Sequence, residues 1–427
     1  MTRSALQRIL LALLFCGGLI NYMDRAVFAV LAPQISKDLG LDAAQLGLAF
    51  SFFSFGYTAF CMVGGWASDK FGSRRTLAVS MALWSVFCAA TGAVFNLISL
   101  LIVRTLFGIG ESPWISSANK ALVQWFPKER YASAFGIASS GQPLGGVVAG
   151  PLIGIMAATV NWRWCFVLVA LVGLAWVVCW LLLSSDRPEI HKWLAAHERA
   201  VPVRDSVQAE TAAASGAEGS MLTAIANRMV LATAACFFAY TYLLYFFLSW
   251  FPSYLTQAFH MKLSDMSLAS AVPWLLGVIG LISGGFVCDA AVRRMGNALL
   301  ARKLVLGIGL SIAAVTVMLA GVATTATAAI IYMAIGVGCM YLTGPTYFAI
   351  ALEAVSARNI GGVGGFMVLV ANLGGMVAPA VTGYLVRDTG SFATAFYVAG
   401  ILVLGGAAVV MLFVRAPRIS NERFQEA

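Results

Sequence analysis

Charge is scarce in this chain: Asp, Glu, Lys and Arg make up 11% of its 427 residues, where a soluble domain carries about a quarter. That shortage argues against an ordinary globular enzyme and against a disordered chain. Histidine is scarcer still, with three residues. His191 and His197 fall in a polar stretch and His260 in an outer loop, none with ligand spacing. The eight cysteines (16, 61, 88, 165, 179, 236, 288 and 339) lie in apolar segments or at their edges, without a CxxC or Cys/His pattern. They support no zinc site, redox pair or secreted disulfide scaffold, and read as small core residues. The absence of a Gly-x4-Gly-Lys-Ser/Thr phosphate loop excludes an ATP-driven pump within this chain. With no nucleophile–base pair or metal cluster in the apolar segments, the chain is not read as an enzyme, and no cofactor or metal is expected.

What is abundant is apolar sequence. Hydrophobic residues make up 60% of the chain and the mean hydropathy is +0.87. That is about 256 residues, enough for about twelve spans of roughly 20 residues each. Twelve segments can be marked, at about 10–32, 43–66, 76–95, 98–123, 131–158, 162–184, 228–255, 267–289, 303–321, 325–352, 360–386 and 392–414. A stretch at 186–227, rich in Ala, Ser and charge, divides them six and six. The expected organisation is an N-terminal six-helix bundle over 1–185, a cytoplasmic linker over 186–227 and a C-terminal six-helix bundle over 228–427. The fold class is all-α and polytopic, with the lipid bilayer as its surroundings. Nothing in the sequence requires more than a monomer.

A net charge of +9 could mark a nucleic-acid partner, but placement decides otherwise. Of the 27 Lys and Arg residues, twenty fall on one set of alternating segments. Four (Lys37, Arg163, Lys262 and Arg387) fall on the other, and three (Arg25, Arg104 and Lys120) lie inside or at the margin of apolar segments. The positive-inside rule produces this asymmetry, so both termini are expected in the cytoplasm. Arg3 and Arg8 before an apolar run mimic a secretory signal. No small-residue cleavage site follows, and the run is read as a retained first span.

The halves echo each other. Gly64-Gly65-Trp66-Ala67-Ser68-Asp69 with Arg74-Arg75 recurs as Gly284-Gly285-Phe286-Val287-Cys288-Asp289 with Arg293-Arg294. Gly108-Ile109-Gly110 is matched by Gly336-Val337-Gly338, and Gly145-Gly146 with Pro151 by Gly374-Gly375 with Pro379. Repeats of this kind imply a duplicated bundle with its site between the halves. Taken singly, most of the 42 glycines read as helix-packing positions.

The loop Gly65-x3-Asp69-Lys70-x-Gly72-x-Arg74-Arg75 resembles the signature of the major facilitator superfamily, whose fold accounts for twelve spans and a central loop. The resemblance implies a cytoplasmic charge lock, with Asp69, Arg74 and Arg75 and their counterparts Asp289, Arg293 and Arg294 as gating residues. Taken alone, the same charges determine topology. A narrower resemblance is to the anion:cation symporter branch, which includes bacterial galactonate, glucarate and hexuronate permeases. It rests on Asn21-Tyr22-Met23-Asp24-Arg25, Tyr57, Arg104-x6-Glu111-x-Pro113, Asn119, Trp125-Phe126-Pro127-Lys128-Glu129-Arg130, Ser140-Gly141-Gln142 and Tyr245 through Pro252. In the second half, Phe348 and Met367-Val368 depart from the branch's Trp and Phe-Asn, while Asn372 is retained.

Asp24, Arg25, Arg104 and Glu111 stand inside apolar spans, where a charge costs at least about 2.5–3.5 kcal/mol. Arg104 and Glu111 are two turns apart on one helix face, whereas Asp24 and Arg25 point about 100° apart. One account is a pair of buried ion pairs locking helices together, a poor stabiliser relative to apolar packing. The other is functional: a carboxylate that takes up a proton leaves the cavity more positive and attracts an anion, coupling the two. The resemblance implies Asp24 and Glu111 as proton-coupling residues and Arg25 and Arg104 as anion contacts. Tyr22, Tyr57, Asn119, Gln142 and Asn372 are candidate hydrogen-bond donors to the substrate. Lys120 is expected to snorkel, and Glu353 reads as a gating or capping charge.

The expectation is therefore a proton-coupled importer of a small organic anion, a sugar acid or related carboxylate, in a bacterial inner membrane. A proton-driven antiporter exporting drugs or metabolites is the alternative. Antiporters of the superfamily often carry Gly-Pro-x-x-Gly-Gly in span five, where this chain has Gly141-Gln142-Pro143-Leu144-Gly145-Gly146.

Overall fold

A computed structural model of the protein describes residues 2–194, 221–352, 355 and 360–414. Glu353 and most of the linker expected at 186–227, with His197, lie outside the described residues. Among those described, the regular elements are helices. Spans one to three run Arg3–Leu39, Ala43–Phe71 and Ser73–Thr91, and span four is Leu97–Glu111 with Trp114–Trp125. Spans five to eight are Lys128–Thr159, Trp162–Leu183, Arg228–Phe259 and Leu263–Met295. Span nine is Ala298–Gly321, span ten is Ala326–Leu342 with Thr346–Leu352, and spans eleven and twelve are Ile360–Thr389 and Ala393–Phe413.

Eleven of these are long and apolar enough to cross a membrane. Span three falls short because Ser73, Arg74, Arg75 and Thr76 crowd its first turn, yet it packs between spans four and six and completes the twelve. Side-chain caps mark many helix starts, including the reciprocal Asp42–Gln45 and Asn96–Ser99 boxes.

Spans four and ten were expected to be continuous, and both are broken. The breaks fall at Ser112-Pro113 and Thr343-Gly344-Pro345, equivalent places in the two halves. Proline removes a backbone donor and crowds the preceding turn. It does not suffice alone, since Pro143, Pro252 and Pro379 lie inside continuous helices. At the breaks, hydroxyls serve the exposed carbonyls: Ser112 donates to Ile109 at 2.9 Å, Ser80 to Gly110 at 2.6 Å and Thr343 to Met340 at 2.7 Å. A membrane requires such local satisfaction of backbone groups.

Packing repeats with the sequence. Span one packs on five as seven packs on eleven, two on four as eight on ten, and three on six as nine on twelve. The halves meet where span two crosses eleven and span five crosses eight. Gly47 permits the first crossing, because a Cβ there would stand 2.5 Å from the Pro379 carbonyl oxygen and 3.1 Å from the Gly383 Cα. Both crossings lie toward the face opposite the N-terminus.

Span one shows which end is open. Arg8, Ala12 and Cys16 are exposed every fourth residue, whereas from Ile20 to Ala32 every residue except Tyr22 is buried. Span seven behaves alike, with Leu231 and Ala235 exposed and Ala239–Leu255 buried. Both central helices are sealed from mid-membrane onward, so the interior opens toward the face that carries the N-terminus.

Candidate functional site

The seal begins at a cluster built around Arg25. Its guanidinium donates from Nε to Glu111 Oε1 at 2.5 Å, pairs with the same oxygen through Nη2, and donates from Nη1 to Tyr245 Oη at 2.9 Å. Asn21 Nδ2 adds a bond to Glu111 Oε1 at 2.7 Å. One oxygen of Glu111 thus takes every donor, while Oε2 is buried without a partner among the described residues. Glu111 is the last residue before the break in span four, and the chain bend sets its carboxylate against span one. The Tyr245 bond joins the halves within the site, because span seven belongs to the second.

The other two buried charges stand apart from this cluster. Asp24 points to span three, where its Oδ2 accepts from Trp84 Nε1 at 2.8 Å and its Oδ1 is unpartnered among the described residues. The expected divergence of Asp24 and Arg25 is what the geometry gives. Arg104 is 2% exposed, with its guanidinium 4.5, 4.8 and 5.2 Å from the ring centres of Phe28, Phe53 and Phe107. Among the described residues its Nε and Nη1 have no hydrogen-bond partner and it forms no ion pair. The aromatic cage supplies cation–π attraction in place of a counter-ion. Of the two ion pairs that the sequence allowed, the structure forms one, Arg25–Glu111.

Aromatic rings wall the cluster. Arg25 lies 5.5 Å from the Tyr22 ring centre, 5.0 Å from Phe53 and 4.9 Å from Tyr57. Tyr22 meets Trp274 of span eight edge-on at 5.7 Å, and Trp274 neighbours Tyr341 of span ten at 6.3 Å. Tyr22 and Tyr57, candidate substrate donors, therefore stand against Arg25. Asn119, Gln142 and Asn372 are half-buried and make no side-chain hydrogen bond among the described residues, so the structure leaves them outside the bonded cluster.

The charges of the loop after span two do not bridge the halves in this state. Asp69 pairs with Lys120 at 2.9 Å, which replaces the snorkelling expected of that lysine. Arg74 donates through Nη2 to the Leu181 carbonyl of span six, and Arg75 is exposed. Asp289, Arg293 and Arg294 are exposed and unpaired among the described residues. A lock between halves needs that face closed, and here it is open.

Sequence reasoning missed several residues as site members. Asn21 and Tyr245 lay within the family-like stretches without an assigned role; the nearness of Asn21 to Asp24 and Arg25 in the chain was the available signal for it, and Tyr245 had none of that kind. Trp84, Trp274 and Tyr341 had none beyond being aromatic in an apolar run. Asp186 was also missed: it accepts the Arg74 amide at 2.8 Å and the Ser73 hydroxyl at 3.2 Å, capping span three from beyond span six.

Comparison with known proteins agrees with this architecture. A family model described as Major Facilitator Superfamily matches residues 14–379 and 297–427. The chain is 41% identical over 404 residues to a hexuronate transporter of Bacillus subtilis (strain 168), covering 94% of this chain and 93% of that protein. It is 34% identical to a probable sulfoacetate transporter, SauU, of Cupriavidus necator, over 92% and 90% of the two chains. Among solved structures, a D-xylose–proton symporter superposes with a TM-score of 0.76 at 15% identity, covering 95% of this chain and 98% of the other.

Proposed function

The chain belongs to the major facilitator superfamily, and on that premise we propose that it is a proton-coupled symporter importing a small organic anion of the sugar-acid class. The observation that carries the reading is the division of Arg25 between Glu111 and Tyr245. A cation held between the halves by one carboxylate can exchange that carboxylate for another.

The charge arithmetic gives the coupling. Arg25 and Glu111 sum to zero, so a proton on Glu111 leaves one unit of positive charge, which a bound carboxylate restores to zero. Oε2 is the oxygen with room for that proton, since Oε1 already faces three donors. Anion binding then favours the protonated acid, and protonation favours anion binding. Asp24, turned away toward Trp84, is the second proton site, and Arg104 keeps the interior positive. Tyr22 and Tyr57 present hydroxyls and ring faces to the substrate. With the basic loops in the cytoplasm, the open face is the inward one, and the crossings of spans two with eleven and five with eight close the path outside. Relatives named hexuronate transporter, probable L-galactonate transporter and probable galactarate/D-glucarate transporter support the sugar-acid class.

The test is uptake of labelled D-glucuronate, D-galacturonate, D-galactonate and D-glucarate into proteoliposomes under an inward proton gradient. Accumulation of one of them that collapses with a protonophore is expected, with Glu111→Gln and Asp24→Asn losing accumulation. Uptake indifferent to the gradient, or intact in both variants, returns these carboxylates to helix packing. Gradient-driven efflux with no uptake makes the protein an exporter.

A further inference from the structure

Tyr341 lies in the last turn of the first segment of span ten, just before the break, and forms the second half's wall of the site. Its ring stands edge-on to Tyr240 at 6.4 Å and beside Trp274 at 6.3 Å. It is 6% exposed, yet its hydroxyl has no hydrogen-bond partner among the described residues. The Tyr22 phenol lies near enough to interact with it without completing a hydrogen bond. Two other buried tyrosines use theirs: Tyr245 accepts from Arg25 at 2.9 Å, and Tyr254, farther along span seven, donates to the Ala320 carbonyl at 2.5 Å. A buried phenol left unmatched costs about 1–3 kcal/mol, which phenylalanine would avoid. The cost is explained if a ligand supplies the missing partner.

The surroundings fix the chemistry of that partner. Every described Lys and Arg between 221 and 414 lies within two turns of a helix end, so this wall holds no cation for a second carboxylate. The rings of Tyr22, Trp274 and Tyr341 run in succession from the Arg25 guanidinium to the Tyr341 hydroxyl. They offer flat faces to C–H groups, with the unbonded Tyr341 hydroxyl, beside the Tyr22 phenol, at the far end. We propose that Tyr341 is a specificity-determining residue whose hydroxyl bonds a hydroxyl of the substrate remote from the carboxylate held by Arg25. The inference rests on the sugar-acid reading and narrows it to acids whose distal end is uncharged and hydroxylated.

Tyr341→Phe tests it, because only the oxygen is lost. Uptake of labelled D-glucuronate into proteoliposomes would be measured for both proteins, with unlabelled D-glucuronate and hexanoate as competitors and the melting temperature as a control. The variant is expected to need roughly 10- to 100-fold more glucuronate for half-saturation, with maximal rate little changed, because a site built around a substrate hydroxyl suffers when one partner goes. Inhibition by hexanoate, which lacks hydroxyls, stays the same, and the melting temperature holds or rises. Unchanged glucuronate affinity overturns the proposal. So does an equal loss for hexanoate, or a fall in melting temperature, since either makes the hydroxyl a packing element. Wild-type protein that takes up no sugar acid overturns the proposed function and this inference together, whereas normal wild-type uptake with an indifferent variant overturns the inference alone.

Discussion

Arg104 separates what a buried charge does for folding from what it does for transport. It has no ion pair among the described residues and leaves two donors unmatched, so folding gains from it only the attraction of three rings. Replacing a buried charge by an apolar side chain of similar volume is often neutral or stabilising. Arg104→Met is therefore expected to keep or raise the melting temperature while transport falls at least about tenfold. Trp84 is the converse case, because its indole holds the sole side-chain hydrogen bond made to the Asp24 carboxylate among the described residues. Trp84→Phe should cost about 1.5–3 kcal/mol of stability, the range for a hydrogen bond to a charged group, read as a lower melting temperature. The four intramembrane charges were legible in the sequence because each interrupts an apolar run. Their aromatic partners were not, because indole and phenol count as apolar in such a run and the contacts join helices far apart in the chain.

Span three shows how an element marginal by composition is held. Its first turn carries two arginines beside the positive end of the helix dipole, and Gly72 enters it at φ 87° with no side-chain cap of its own. Asp186 supplies the missing acceptor from the far side of the half, and Trp180 donates to the Arg74 carbonyl at 2.9 Å. Asp186→Ala should lose about 0.5–2 kcal/mol, the usual worth of a cap, and Asp186→Asn should recover most of it in the same thermal melt. Element existence was readable from apolar length alone, including this span. The breaks in spans four and ten were not read. Pro113 and Pro345 were visible, but so were prolines that leave helices whole, such as Pro143 and Pro252.

At the scale of the whole molecule, the two central helices are open at one end and sealed at the other, and the seal depends on a crossing with no room for a side chain. Gly47→Trp should force spans two and eleven apart and shift the population toward the state open on the opposite face. Cys16, exposed in the open end of span one, reports the change. In a variant whose other seven cysteines are serine, a membrane-impermeant thiol reagent applied from the N-terminal side should label it readily, and at least about tenfold more slowly once Gly47→Trp is added. Equal labelling would mean that the crossing does not govern access. The duplication was evident from the repeated glycines, and the matching helix pairs follow from it. Which face stands open was not evident, because one sequence must serve both states.

The described charges buried in the membrane, Asp24, Arg25, Arg104 and Glu111, all lie within the first 111 residues, and Glu111 finds its counter-ion among them. This bears on how the protein is made. A ribosome adding about 5–20 residues per second needs on the order of 10–40 s to deliver the second half after the first has emerged. Through that interval the first half can shelter its costliest groups with its own side chains, waiting only for Tyr245 to complete the shell of Arg25. The second half, when it arrives, brings nothing ionised to the bilayer's centre among its described residues, so order of synthesis and order of electrical risk run the same way.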